Sequence, residues 1–293
     1  MTSQNTVKTV FLVLVLTGIF IFVGNMAGGR GGAVIALVLS LAMNLGMYWF
    51  SDKIVLRMHS ARPIGPRDPS GVFEIVQDLS MRAGLPMPSV YLIPEVVPNA
   101  FATGRDPAHA AVAVTEGIVR LLSPRELRGV LAHELSHVRN RDTLISTIVA
   151  GMASAIMWIA SIARWGAFLG AGRSDDEDRG GANPIVFLLT IFLAPLAAMF
   201  IQMWISRTRE YQADASGAAM STDPESLASA LEKISDPRLM QSIAQAGAMP
   251  QPAPAMNHLY IVNNFSGRSL LNVFSTHPPV ENRVRRLRAM RFV

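Results

Sequence analysis

The sequence predicts a mainly α-helical integral membrane protein that carries a small α+β domain, with four transmembrane helices arranged as two hairpins. Three observations carry this. Half of the 293 residues are hydrophobic and only 16% are charged, against about a quarter charged in an average soluble protein. Uncharged runs long enough to cross a bilayer come in two pairs. The segments after each pair mix charge with helical and strand periodicity and read as soluble.

The first run, Thr9 to Gly29, has 21 residues without a charge, and a second follows from Ala33 to Phe50. A secretory signal is the competing reading. Its basic start is only Lys8, no small-x-small cleavage site follows Val23, and the second run arrives at once. Two spans joined by the turn Gly28-Gly29-Arg30-Gly31-Gly32 fit better, making residues 1–52 an N-terminal hairpin.

Residues 53–143 read as a soluble platform: a helix near Val72 to Ala83, strands near Ser89 to Leu92 and Ala110 to Val114, and extended chain with a terminal turn over Pro98 to Gly104. A second hairpin is expected over 144–205, from the uncharged Leu144 to Ala163 and from Ile185 to Ile205, the latter kinked by Pro195. Between them the acidic run Asp175-Asp176-Glu177-Asp178 reads as a solvated loop. Residues 206–293 return to soluble character, with a helix from Pro224 to Ser235, a proline-rich stretch from Ala246 to Ala255 and a basic helix from Val280 onward. Its arginines, Arg283, Arg285, Arg286, Arg288 and Arg291, suit a solvated face better than contact with anionic lipid. One soluble domain is thus split by a membrane hairpin.

Nine basic residues near the span ends (Lys8, Lys53, Arg57, Arg62, Arg67, Arg139, Arg141, Arg207 and Arg209) face four (Arg30, Arg164, Arg173 and Arg179). The richer side is expected in the cytoplasm, together with both termini. The net charge of +5 does not indicate nucleic acid, because the basic residues bracket apolar segments instead of forming a stripe with interleaved aromatics. With no cysteine, disulfides, thiolate metal sites and cysteine nucleophiles are excluded.

Chemistry concentrates at His133-Glu134-Leu135-Ser136-His137. Ser123-Pro124-Arg125-Glu126 offers an N-cap serine, a first-turn proline and a capping-box glutamate, so a helix starts just upstream. Histidines four apart then share one face and can grip one metal ion, while Glu134 can act as a base toward the attacking water. That is the pattern of a zincin-like peptidase. Catalytic zinc usually takes three protein ligands. No His-x-x-Gly-x-x-His continuation follows, so the third ligand lies elsewhere. Glu210 and Asp214, four apart where the fourth span ends, are the best candidates, one as ligand and one as a hydrogen-bond acceptor behind a ligand histidine. Spacing alone equally allows an exposed acidic face balancing Arg207 and Arg209.

The sequence resembles the HtpX-type membrane zinc metallopeptidases, related to the CAAX prenyl endopeptidases. The likeness runs over essentially the whole chain, through Asn99-Ala100-Phe101-Ala102-Thr103-Gly104, the H-E-x-x-H helix, Ser206 to Asp214, and Ser275-Thr276-His277-Pro278-Pro279. It implies one zinc ion per chain on His133, His137 and Glu210, Glu134 as general base, Asp214 behind a ligand, and an inner-membrane enzyme with a cytosolic site. It further implies cleavage of damaged or misassembled membrane proteins alongside other membrane proteases. Asn99, Ala100, Phe101 and Ala102 could pair with substrate backbone as an added strand, and His277 could donate to a developing oxyanion. An ordinary turn asparagine and a structural histidine are the alternatives. His59, His109 and His258 receive no role.

Two other functions share these features. A prenyl-protein endopeptidase would use the same chemistry, and a membrane scaffold would hold its metal structurally. Structural zinc usually has four protein ligands, and only three are found beside Glu134. An intramembrane protease is disfavoured because Arg125, Glu126 and Arg128 start the H-E-x-x-H helix in water.

Overall fold

The computed structural model describes residues 3–143, 207–245 and 278–291. Its first helical segment, α1 (Ser3–Met58), would hold Thr17 and Ser40 about 35 Å apart if it were straight. Instead the Ser40 hydroxyl donates to Thr17 Oγ1 at 3.1 Å, and Asn44 donates to the same oxygen at 3.3 Å. The segment therefore doubles back. The reversal falls at Gly29, whose φ of +58° suits glycine. The two arms touch at Gly24 and Gly32, where a Cβ on Gly32 would sit 2.1 Å from the Gly24 carbonyl oxygen.

Among the described residues, Gly29–Phe50 is long and apolar enough to cross a membrane, and only 6% of it is buried. Val34, Ile35, Val38, Leu41 and Leu45 face outward, an apolar surface of the kind that requires lipid. The expected second hairpin, Leu144 to Ile205, lies outside the described residues.

The soluble part is built on a four-stranded sheet in the order β1 (Arg62–Ile64), β2 (Ser89–Ile93), β4 (Ala110–Thr115), β3 (Ala100–Gly104). β2 and β4 run parallel, and the two edge strands pair antiparallel to their neighbours. Helix α2 (Val72–Ala83) provides the crossover between β1 and β2. β4 is buried throughout, and apolar up to its last residue Thr115, because both its faces are covered. Val112 and Val114 enter the main core with Leu131, Leu135 and Leu231, whereas Ala111 and Ala113 meet Val55 and Leu56 from the end of α1. β3 alternates likewise, with Ala100 and Ala102 toward the main core and Phe101 toward α1.

The remaining helices are α3 (Glu116–Leu121), α4 (Pro124–Asn140), α5 (Arg207–Ser221), α6 (Pro224–Ile234), α7 (Pro237–Gln245) and α8 (Val280–Arg288), numbered over the described residues. β1, α3 and α7 go beyond the sequence expectation. β1 is only three residues long and contains Pro63, which an edge strand tolerates.

The C-terminal helix also departs from its expected role as a solvated basic face. Arg283 is fully buried, Arg288 pairs with Glu225 and Glu232 at 2.8 Å each, and Arg286 lies 4.1 Å from the centre of the Tyr211 ring. The helix is attached to α5 and α6 by its arginines.

Candidate active site

Helix α4 starts as its sequence dictates. The Ser123 hydroxyl accepts from the Glu126 N–H, and the Glu126 carboxylate accepts from the Ser123 N–H at 2.9 Å. Glu126 also receives Ser229 at 2.6 Å and Lys233 at 2.8 Å from α6. Burial alone would raise its pKa, but these donors prevail and bring it down to about 2. One residue thereby caps α4 and ties it to α6.

Two turns further on, His133 and His137 project from α4 with their rings 4.9 Å apart and nearly perpendicular. Helix α5 brings Glu210 opposite them. Its Oε2 lies 3.7 Å from His133 Nε2 and its Oε1 3.8 Å from His137 Nε2. All three donor atoms fall within 4.8 Å of one another. Ligand atoms around a tetrahedral zinc lie about 3.3 Å apart, so the three side chains already stand near one another at the separation an ion between them would draw closer. Two imidazoles and one carboxylate suit zinc better than calcium or magnesium.

The close packing of α4 on α5 requires Gly217, where a Cβ would sit 2.8 Å from the backbone N and Cα of His133. Ser136 secures the contact, its hydroxyl lying 2.7 Å from the carbonyl oxygen of His133 and 3.1 Å from that of Ala213. Glu210, Asp214 and Gly217 recur at helical spacing, so one face of α5 supplies a donor, a support and the room to approach.

Each histidine has a carboxylate behind it. His133 Nδ1 lies 3.0 Å from Asp214 Oδ1, which directs Nε2 toward Glu210. Burial of Asp214 would raise its pKa, but Arg283 and His133 outweigh that and lower it to about 2. Arg283 grips both oxygens of Asp214, at 2.9 and 2.6 Å. Its other terminal nitrogen approaches Glu210 to 3.9 Å. His137 Nδ1 lies 3.3 Å from Asp142, and Arg209 reaches the other oxygen of Asp142 at 3.9 Å. Burial opposes protonation of His137, yet Asp142, Glu210 and Glu134 raise its pKa to about 9 in the metal-free protein.

The Glu134 carboxylate reaches the sheet, where it accepts the Ala102 N–H at 3.1 Å. That bond identifies the outward edge of β3. Asn99 turns inward: its carbonyl accepts the Thr115 N–H at 2.9 Å and its own N–H donates to the Thr115 hydroxyl. Backbone groups alternate in the plane of the sheet, so those of Phe101 and Thr103 face β4 and those of Ala100 and Ala102 face outward. His277 lies outside the described residues, as does His258. His59 pairs with Glu95 at 2.7 Å and His109 with Asp106 at 2.8 Å, both away from the histidine pair.

Two residues of the site escaped sequence reasoning. Arg283 resembled four other arginines, although it shares a helix face with the apolar Val284 and Leu287, and that shared face was the available signal. Asp142 lies just past the end of α4. Arg141 in a left-handed conformation folds the chain back so that the Asp142 N–H reaches the His137 carbonyl at 2.9 Å. A sequence gives little warning of that turn, because arginine seldom adopts it.

The chain is similar to known proteases over most of its length. A family model described as Peptidase family M48 matches residues 66–291. A protein named Protease HtpX homolog from Syntrophobacter fumaroxidans is 53% identical over 283 residues, covering 97% of this chain and 98% of that one. A second of the same name from Desulforapulum autotrophicum is 52% identical, covering 97% and 89%. The crystal structure of S. mikatae Ste24p aligns with a TM-score of 0.48 at 19% identity, over 97% of this chain and 65% of that one.

Proposed function

Since this chain belongs to peptidase family M48, we propose that it is a membrane-bound zinc endopeptidase that hydrolyses damaged or misfolded membrane proteins from the cytoplasmic side of the inner membrane. The observation that carries the reading is the convergence of His133, His137 and Glu210 beside Glu134. A structural metal site would close its fourth position with protein, whereas among the described residues the donor cluster has three members and the neighbouring Glu134 carboxylate is aimed at a strand edge. Quality control fits an enzyme whose soluble part is joined directly to an apolar hairpin, because its substrates then share its membrane.

In this reading His133, His137 and Glu210 hold the ion, which when bound polarises the scissile carbonyl and makes water a better nucleophile. Asp214 and Asp142 keep the imidazoles oriented from behind. The substrate lies extended along β3, pairing with the outward backbone groups of Ala100 and with the carbonyl of Ala102, whose N–H Glu134 holds, while Asn99 and Phe101 anchor the strand from within. Glu134 takes the proton from the attacking water as the new C–O bond forms. It returns that proton to the amine nitrogen as the C–N bond breaks. His277 is assigned to the developing oxyanion from its place before Pro278-Pro279 in the sequence.

The test is cleavage of unfolded casein by detergent-purified protein, with and without a chelator and with Glu134→Gln. Full zinc content with hydrolysis lost by at least ~100-fold is expected of the variant. Normal hydrolysis would reject the mechanism, and lost zinc would make Glu134 a ligand.

A further inference from the structure

The strand proposed to hold substrate runs alongside the last turns of α1. Near the end of the apolar segment Gly29–Phe50, the Trp49 ring lies 4.7 Å from the Arg105 guanidinium, immediately after β3. Further along α1, Val55 and Leu56 share one apolar cluster with Phe101. Further still, the His59 ring is 5.6 Å from Phe101. As α1 leads out of the span, β3 leads back toward it, so Gly104 is the end of the strand nearest the membrane and Ala100 the farthest. Trp49 and Tyr48 are exposed where interfacial aromatics are expected, and Lys53 and Arg57 follow.

From this alignment we infer that the protein cuts polypeptide that follows a transmembrane span, a C-terminal tail leaving the bilayer, in preference to polypeptide that precedes one. The inference rests on the reading of β3 as the substrate strand. Antiparallel pairing is the more stable mode for an added strand. A substrate antiparallel to β3 enters at Gly104 and leaves at Ala100, so its N-terminal side is at the membrane. Ala102, which touches Glu134, stands three residues from Arg105, about 10 Å at strand rise. A helix tilt of about 20° changes that height by less than a tenth. The first bond within reach therefore lies about three to five residues beyond the span.

The test uses full-length, zinc-loaded protein reconstituted in phosphatidylethanolamine–phosphatidylglycerol vesicles with two single-span reporters. One carries an unstructured segment after its span, the other carries the same segment before it, and the free segment serves as a soluble peptide. The tail after the span is expected to be cut at least ~10-fold faster, with its first site about three to five residues out. Inserting spacer residues should shift the cut sequence while the distance from the span stays fixed. Trp49→Ala should spread the cut positions and leave cleavage of the soluble peptide unchanged. Equal cutting of both reporters, or a site that moves with the sequence, would overturn the inference and leave the peptidase reading intact. Failure to cut the soluble peptide as well would overturn both, the peptidase reading first.

Discussion

The two histidines on α4 are backed by the same two residue types held in different ways. Behind His133, Asp214 and Arg283 form a buried bidentate pair with contacts of 2.6 and 2.9 Å. Behind His137, Asp142 is 3.3 Å from the ring, its arginine stands off at 3.9 Å, and the His137 side chain keeps 17% of its exposure. The His133 side is fixed by charge pairs that exclude water. Behind His137 the contacts to Asp142 are longer, although Asp142 is itself buried. A metal seated between the two histidines would meet one imidazole clamped through a bidentate ion pair and one supported at longer range.

The sharpest way to break that contrast is to remove the two arginines in turn. Arg283→Ala leaves a buried carboxylate without its partner and should destabilise the fold by about 3–5 kcal/mol, read as a fall in the thermal midpoint in detergent. Metal competition assays on Asp214→Asn and Asp142→Asn then rank the two supports. Loss of such a partner typically weakens metal binding about 10–100-fold, so Asp214 should fall near the upper figure and Asp142 near the lower. Equal losses would mean that the tight clamp adds nothing to the ligand it backs.

Acidity sharpens the comparison on the looser side. With its pKa raised to about 9, His137 holds a proton in the metal-free protein that zinc must displace. Apparent zinc affinity should therefore rise about tenfold per pH unit as the solution is made basic, levelling near the same pH. Stability runs the other way. The raised pKa favours the metal-free fold fully below the unfolded value of about 6.5, and that contribution is lost as pH climbs through about 9. Asp142→Asn removes one cause of the shift, so the affinity curve should level off at lower pH. Arg209→Ala, at a longer contact to its carboxylate than Arg283 makes, should lower the thermal midpoint by less than Arg283→Ala does.

What the sequence revealed tracks how local each cause is. The start of α4 was readable because Ser123 and Glu126 satisfy each other within one turn. The reversal near Gly29 was readable because a run of glycines permits it. The donor pair His133 and His137 follows from helical spacing alone. Glu210 needed a resemblance, because nothing local distinguishes it from a solvated acid. Arg283 and Asp142 act through partners that only folding brings together, one across 69 residues and the other through an unusual backbone turn. β1 and α3 were too short to leave a period in the sequence.

The donors of the proposed metal site lie on either side of the stretch 144–206, with His133 and His137 before it and Glu210 after it. Closing a loop of that length costs about 4 kcal/mol in chain entropy beyond a fixed constant. The contact of Gly217 with His133 and the Ser136 hydrogen bonds to both helices already hold that loop shut without metal. A chain severed inside the stretch would thus keep its two pieces in register, and the halves should reassemble into one centre when produced separately. The peptidase is, in this sense, a natural two-fragment protein whose halves happen to be joined by the stretch 144–206.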